Sequence, residues 1–302
     1  MSSATVAPPP RLGTTHVDVL ESLNHHRLLS THQFHFLHTP HASHRWTRDV
    51  LLRLKRSGLV AMVRSRGGLG LWYLTESGAD AIETIPSRSE LRRKVYSDEQ
   101  AARSLQQHTL GVNDVGLAFV RAARERGDEF LPLAWSHEVW HSLGAPPGRR
   151  QPDQLIADAL LVYQLEEEDG TSFHYRFVEL DRSTRATNDL AGRLARYARL
   201  YRRMIPAERP GDPPAPLWSY LYPVFPAVLV VLANGTRDRL ERRRDTVLGL
   251  CAQDPDLQDT PEVEIAVCLL EDLAQEGPFA AIFRTARDRR TPVNWLGEGP
   301  GS

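Results

Sequence analysis

Apolar residues along the first third of the chain follow a helical spacing and then a strand spacing. Ser43 is placed to cap a helix in which Val50, Leu51 and Leu54 form one inward stripe, and Gly58 follows where such a helix ends. Two apolar strands then flank a glycine-rich tip, as in a β-hairpin. The predicted elements are, in chain order, helices over 14–29, 30–37 and 44–57, strands over 59–63 and 71–74, and a helix over 75–85. This order predicts a winged helix-turn-helix domain.

From residue 108 the pattern changes to long strands separated by charged helices. Asp169-Gly170 is a strong turn signal between two of the strands. The predicted elements are a helix over 108–126, strands over 130–139, 155–165 and 173–181, a helix over 189–204, a strand over 225–232, a helix over 237–250 and a strand over 263–270. This order predicts a mixed sheet with helices packed on it, that is, an α/β (α+β) domain.

Composition and length agree with two globular domains. The 302 residues are 41% hydrophobic and 25% charged. The longest apolar run, Val224–Ala233, has about half the length that a membrane helix needs, and the two cysteines exclude a disulfide framework. We expect a cytoplasmic protein without a signal peptide. The predicted organisation is a disordered tail (1–13), a winged helix (14–85), a linker (86–107), an α/β domain (108–292) and a second tail (293–302).

The near-neutral net charge of −1 hides an asymmetry between the two halves. Residues 1–96 carry 13 Lys and Arg against 7 Asp and Glu, whereas the remainder carries 24 against 31. A basic domain of this kind favours a polyanionic partner such as double-stranded DNA. The alternative is a winged helix that contacts proteins through an ordinary solvated face. The candidate DNA-binding residues are His44, Arg45, Thr47, Arg48 and Arg56 on the third helix, with Arg64 and Arg66 at the hairpin tip.

Three carboxylates mark the middle strands of the second domain. Glu179 and Asp181 are two residues apart on one predicted strand and therefore share a face, and hairpin pairing can bring Asp158 beside them. Carboxylates this close repel one another unless a cation neutralises them, and their oxygens suit Mg²⁺ or Mn²⁺. These three residues are the candidate metal ligands. The alternative interpretation is a set of solvated acids at the strand ends.

Several segments together resemble the replication-relaxation family of bacterial plasmids, phages and integrated elements. The resemblance covers most of the chain and rests on the winged-helix pattern and four further segments. These are His108-Thr109-Leu110-Gly111-Val112-Asn113-Asp114, the strand Leu155-Ile156-Ala157-Asp158-Ala159-Leu160-Leu161-Val162, the strand Phe177-Val178-Glu179-Leu180-Asp181-Arg182-Ser183-Thr184, and the helix with Arg193 and Tyr197. The resemblance implies a role in replication or relaxation of the element's DNA.

The second half of that family is in turn similar to the restriction-endonuclease fold, whose pattern is Pro-Asp followed by Glu-x-Lys. On this resemblance Asp158 matches the Asp, Glu179 matches the Glu, and Glu138 is an upstream acid. Asp181 stands where the catalytic lysine belongs, and Arg193 on the following helix is the basic residue nearest in role, although its high pKa makes it a poor base. The pair Pro152-Asp153 is a competing assignment for the first motif.

Histidines recur every third residue from His32 to His44, which is a spacing that metal ligands use on helices. Pro40 interrupts this run, so that the five side chains do not line one face. Three functions remain open: a divalent-metal-dependent nickase or endonuclease acting on plasmid DNA, a non-catalytic DNA-binding initiator accessory or regulator with a degenerate nuclease fold, and a metal-responsive regulator. A homodimer is compatible with each of them.

Overall fold

A computed structural model describes residues 13–65, 67–84, 99–145, 153–206 and 213–299, with side chains from residue 106 onward in the third segment. The chain divides into two compact units, Met1–Asn113 and Asp114–Ser302. Described helices and strands together make a mixed α/β protein, as predicted. None of the described helices has the length and apolar character needed to cross a membrane.

The described residues 13–84 of the first unit form four helices and a small antiparallel sheet with strand order β1-β3-β2. Ser30 and Ser43 accept hydrogen bonds from the backbone at the starts of α2 and α3, which explains why the helices begin there. The predicted helices and hairpin are confirmed, and the short strand β1 is added by its pairing with β3. The elements are α1 (Thr14–His26), β1 (Leu29–Ser30), α2 (Thr31–His38), α3 (His44–Arg56), β2 (Val60–Arg64), β3 (Gly70–Leu74) and α4 (Glu76–Glu83).

The next helix, α5, is longer than predicted and runs over Glu99–Arg126. The segment 99–107, predicted as linker, contains no proline or glycine and continues the helix toward its N-terminus. Within the first unit the buried Asn113 amide donates to the Leu28 carbonyl at 2.8 Å, and Gln33 donates to the Leu110 carbonyl at 3.2 Å. These residues of α5 therefore belong to the packing of the first unit. The rest of the predicted linker lies outside the described residues.

The second unit is built on a six-stranded mixed sheet with strand order β11-β10-β9-β6-β5-β4. Strand β6 pairs with β9, and β9 with β10, in parallel, while the other neighbours are antiparallel. The sheet strands are β4 (Trp135–Gly144), β5 (Asp153–Glu167), β6 (Gly170–Asp181), β9 (Ala227–Leu232), β10 (Ile265–Leu269) and β11 (Arg284–Thr285). The other elements are α6 (Thr187–Arg202), β7 (Met204–Ile205), β8 (Ala215–Pro216), a 3₁₀ helix (Leu217–Tyr220), α7 (Arg237–Gln253), α8 (Pro255–Gln258) and α9 (Leu270–Glu276).

Helices α6 and α7 pack on the sheet through a continuous apolar core. Phe177, Leu194, Val230 and Val247 are among its fully buried members. The predicted loose tail after Pro292 differs from the structure, because Trp295 is only 2% exposed and packs among aromatic rings of this unit. A lone tryptophan near the end of a polar segment carries no periodicity, so that only tertiary packing reveals its place.

Candidate functional site

Helix α3 divides cleanly into a buried and an exposed face. Val50, Leu51 and Leu54 point into the core of the first unit, as predicted. None of the ion pairs among the described residues involves a cation of α3. The cations of α3 are all exposed, and they are Arg45, Arg48, Arg53, Lys55 and Arg56. Their charge is therefore open to an external anion.

Thr47 lies on the buried face, so the expectation that it is exposed with the basic residues is wrong. It is 1% exposed, and its hydroxyl lies 2.9 Å from His35 Nδ1 and 2.7 Å from Thr39 Oγ1. Position 47 precedes Val50, Leu51 and Leu54 by three, four and seven residues, which is the spacing of one helix face. A threonine in that stripe ties α2 to α3 instead of facing a ligand.

Trp46, Arg53 and Lys55 are exposed residues of α3 that were not among the predicted DNA contacts. Trp46 is 41% exposed and lies next to Arg45 in sequence. The signal that could have found it is an aromatic side chain outside the apolar stripe. An exposed tryptophan beside unpaired arginines adds a flat apolar surface to the basic face.

Three of the periodic histidines stack at the start of α3. The His35 and His44 ring centroids are 3.8 Å apart, and His32 lies 6.0 Å from His44. Burial, together with the neighbouring His44 and His32, lowers the pKa of His35. His38 instead contacts Ser22 at 2.7 Å. The histidines thus divide between two environments. His44, a candidate DNA-binding residue, is exposed and contacts both His32 and His35.

The hairpin between β2 and β3 ends in a tight, exposed tip. The Arg64 guanidinium donates to the Gly68 carbonyl at 3.2 Å, and Gly68 adopts a left-handed conformation with φ of 80°. Leu69 is 58% exposed. Arg66, the other predicted contact at this tip, lies outside the described residues. The described residues of this tip therefore present a cation, Arg64, and an apolar side chain, Leu69.

In the second unit, Arg193 of α6 bridges the two predicted carboxylates Asp158 and Glu179. Its guanidinium lies 3.1 Å from Asp158 Oδ1 and 2.7 Å from Glu179 Oε2. The Tyr197 hydroxyl donates to Glu179 Oε1 at 2.6 Å, and the Leu180 backbone N–H donates to Asp158 Oδ2 at 2.8 Å. Three of the four carboxylate oxygens therefore already accept a hydrogen bond from the protein, and the fourth, Glu179 Oε2, forms an ion pair with Arg193.

Burial controls the protonation of this cluster. Glu179 is 2% exposed, and burial, followed by the nearby Asp158, raises its pKa to about 8 against the opposing effects of Arg193 and Tyr197. Although burial lowers the pKa of Arg193, the two carboxylates outweigh it and raise the value. Burial and then Glu179 raise the pKa of Tyr197. Burial therefore favours the protonated form of Glu179, whereas Arg193 and Tyr197 favour its carboxylate.

Asp181 is bound separately, by an arginine that sequence analysis did not find. Arg243 of α7 donates through Nε to Asp181 Oδ2, and its other nitrogens reach the Thr187 hydroxyl at 3.1 Å and the Arg185 carbonyl at 2.9 Å. The Asp181 and Arg243 side chains are 5% and 10% exposed. Because α7 carries five arginines with no distinguishing spacing, no sequence signal selects Arg243.

Glu138 lies on the edge strand β4, opposite the cluster of Asp158, Glu179 and Arg193. His137 pairs with Ala159 and Val139 with Ala157, which places Glu138 across from Asp158. Glu138 is exposed and adopts a left-handed backbone conformation with φ of 51°. The competing candidate, Asp153, begins β5, where Arg196 and Arg199 bind it at 2.6 and 3.0 Å. Arg193 thus joins Asp158, and not Asp153, to Glu179.

As arranged, these residues do not fit a divalent metal ion. The oxygens of Asp158 and Glu179 are already engaged, and Asp181 has Arg243 as its cation. Across the described residues, no group of three or more His, Cys, Asp or Glu side chains has a geometry suited to a metal. The Mg²⁺ or Mn²⁺ site therefore stays a prediction, and what the arrangement provides directly is charge neutralisation by arginine.

The fold and the two clusters define a two-unit α/β protein with an open basic helix face and a closed carboxylate–arginine cluster. A model of the replication-relaxation family matches residues 20–211. The match contains α3, Asp158, Glu179 and Arg193 but ends before Arg243, and because it covers most of the chain, the protein belongs to this family. No curated protein and no solved structure matches the chain. The family suggests a role in DNA replication or relaxation.

Proposed function

We propose that the first unit is a winged helix-turn-helix that binds double-stranded DNA, and that the protein acts in replication or relaxation as a non-catalytic DNA-binding accessory. The observation that carries this proposal is the exposed face of α3, where the cations have no acidic partner among the described residues. Arginine and lysine in this state can neutralise phosphates and release counterions. The family's link to replication or relaxation supplies the substrate class.

The order of the elements supports a specific docking geometry. In a winged helix-turn-helix the third helix enters the major groove with its N-terminal residues on the base edges. Here those residues would be His44, Arg45 and Arg48, and Arg64 at the hairpin tip would contact the phosphate backbone or an adjacent groove. Thr47 serves the scaffold behind this face, through its contacts with His35 and Thr39.

The second unit is proposed to keep a nuclease-like sheet without cutting DNA. Arg193 occupies the carboxylates that a metal would need, and Asp181, at the lysine position of the nuclease pattern, is bound to Arg243. Both carboxylates of the nuclease pattern, and the acid at its lysine position, are therefore already paired with arginines. The cluster instead resembles a structural ion-pair network.

A metal-dependent nickase is the second candidate function. The juxtaposition of Asp158 with Glu179, across from the strained Glu138, favours it. This activity would require Arg193 to leave both carboxylates. Incubating the full chain with supercoiled plasmid and Mn²⁺ tests it: nicking that Glu179→Ala abolishes would overturn the non-catalytic assignment.

The DNA-binding proposal is tested with matched double variants of the full chain. Arg45→Ala/Arg48→Ala removes two charges from α3, whereas Arg239→Ala/Arg242→Ala removes two exposed charges from α7. We expect the first variant to bind short fluorescent duplexes of random sequence at least about tenfold more weakly than the second. Its salt slope should be lower by about 0.9 for each phosphate that the protein no longer neutralises. Equal affinities of the two variants would contradict the proposal.

A further inference from the structure

The exposed face of α3 contains one acidic residue, Asp49. It lies four residues after Arg45 and four before Arg53, so the three share one side of the helix, and Arg56 follows a turn later. Asp49 is exposed. A carboxylate at the centre of a face proposed to meet DNA is unfavourable for phosphate binding, because it repels the backbone.

The usual local roles of a helical aspartate do not account for Asp49. It lies beyond the first turn of α3, where an acid would stabilise the helix dipole. The Arg53 guanidinium donates to the Asp49 backbone carbonyl at 3.4 Å, not to its carboxylate. Among the described residues, no ion pair involves Asp49. The carboxylate therefore remains available for an external hydrogen-bond donor.

We infer that Asp49 is a specificity-determining residue that accepts a hydrogen bond from the N4 amino group of cytosine in the major groove. Among the base edges that the major groove exposes, amino groups are the donors, and carboxylates pair with the one on cytosine. Arg45 beside it supplies the complementary donors for guanine. Repulsion between Asp49 and the phosphates lowers the affinity for unrelated DNA. At a site with a correctly placed cytosine, the hydrogen bond to Asp49 compensates for this loss. This inference rests on the proposed DNA binding by α3.

The experiment compares the full-length wild type, Asp49→Ala and the control Asp238→Ala, which removes an exposed acid of α7. Each protein is used to select duplexes from a random-sequence pool. We expect the wild type and the control to enrich a site with a fixed cytosine. Asp49→Ala should bind the unselected pool more tightly and lose at least about fivefold of the discrimination at that cytosine. Unchanged melting temperatures would show that the fold is intact.

A chemical probe isolates the proposed hydrogen bond. On the selected duplex, N4-methylcytosine at the fixed position should weaken binding by the wild type and leave Asp49→Ala unaffected, whereas 5-methylcytosine at that position controls for added bulk. The inference is overturned if Asp49→Ala keeps the cytosine preference, if the pool affinity does not rise, or if the wild type enriches no site. Retained binding by Arg45→Ala/Arg48→Ala would instead overturn the proposed function itself, so the two failures are distinguishable.

Discussion

Arginines on α3 and on α6 occur at similar density but have opposite environments. On α3, Arg45 and Arg48 are exposed and belong to none of the ion pairs among the described residues. On α6, Arg193, Arg196 and Arg199 follow one another every third residue, and each binds a carboxylate of β5 or β6. The first set can neutralise an external polyanion, whereas the second neutralises the protein's own sheet.

This difference shows what an arginine count can and cannot indicate. The excess of cations in residues 1–96 correctly points to a helix whose positive charge has few local acids to neutralise it. In the second half, acids outnumber bases, and a buried carboxylate recruits the nearest arginine because an unpaired charge in a low-dielectric interior is costly. Substitutions in the two sets should therefore affect different measurements: binding for α3, stability for α6 and α7.

The largest effect is expected at Asp181. Asp181→Lys places a second cation against the nearly buried Arg243 and should lower the free energy of unfolding by about 3–5 kcal/mol. Restoration of a nuclease lysine predicts the opposite, a stable protein with increased plasmid cleavage. Urea denaturation and a plasmid nicking assay on the same preparation separate these outcomes, and Asp181→Asn measures the effect of removing the charge alone.

A smaller reduction of stability is expected for Arg193→Ala. It leaves Asp158 and Glu179 without their shared cation, but Glu179 can respond by keeping its proton, so we expect the free energy of unfolding to fall by about 1.5–3 kcal/mol. The control Arg239→Ala, on an exposed site of α7, should stay within about 0.5 kcal/mol of wild type. If Mn²⁺ raises the melting temperature of Arg193→Ala but not that of wild type, Arg193 competes with the predicted metal for the carboxylates.

Thr47→Val should destabilise the first unit by about 1 kcal/mol without a direct effect on DNA binding. The substitution keeps the shape of the side chain but removes the hydroxyl that joins His35 and Thr39. Thermal unfolding measures the change in stability. Duplex affinity, determined below the melting transition, measures the change in DNA binding. A loss of affinity as large as that of Arg45→Ala, in a folded protein, would place Thr47 at the DNA after all.

For Glu179→Gln the expected signature is the pH dependence of stability. Because burial raises the folded pKa of Glu179 to about 8 from 4.5, its contribution is fully present below pH 4.5 and declines as the pH rises toward 8. The amide cannot ionise, so this decline should disappear in the variant. Urea denaturation of both proteins between these pH values checks the expectation, and parallel curves would contradict it.

Local signals in the sequence determined most of the helices and strands. Caps such as Ser30 and Ser43, the stop at Gly58 and the turn at Asp169-Gly170 act within a few residues, so their effects can be read without knowledge of the fold. The apolar spacing likewise predicted the stripe on α3 and the mixed sheet. It did not predict β1 or β11, because strands of two residues exist only through pairing with a distant partner.

Sequence spacing also determined which acids lie together, since alternation on β6 and hairpin pairing bring Asp158 to Glu179. Only the tertiary structure decided what neutralises them. Arg193 reaches both carboxylates because α6 crosses the sheet at that point, and Arg243 reaches Asp181 from a helix more than sixty positions away along the chain. On α3 the tertiary structure has the opposite effect: the cations have no ion-pair partner, because no described acidic side chain packs against them. Charge is a property of the sequence, but its neutralisation depends on distances between side chains that only the folded chain fixes.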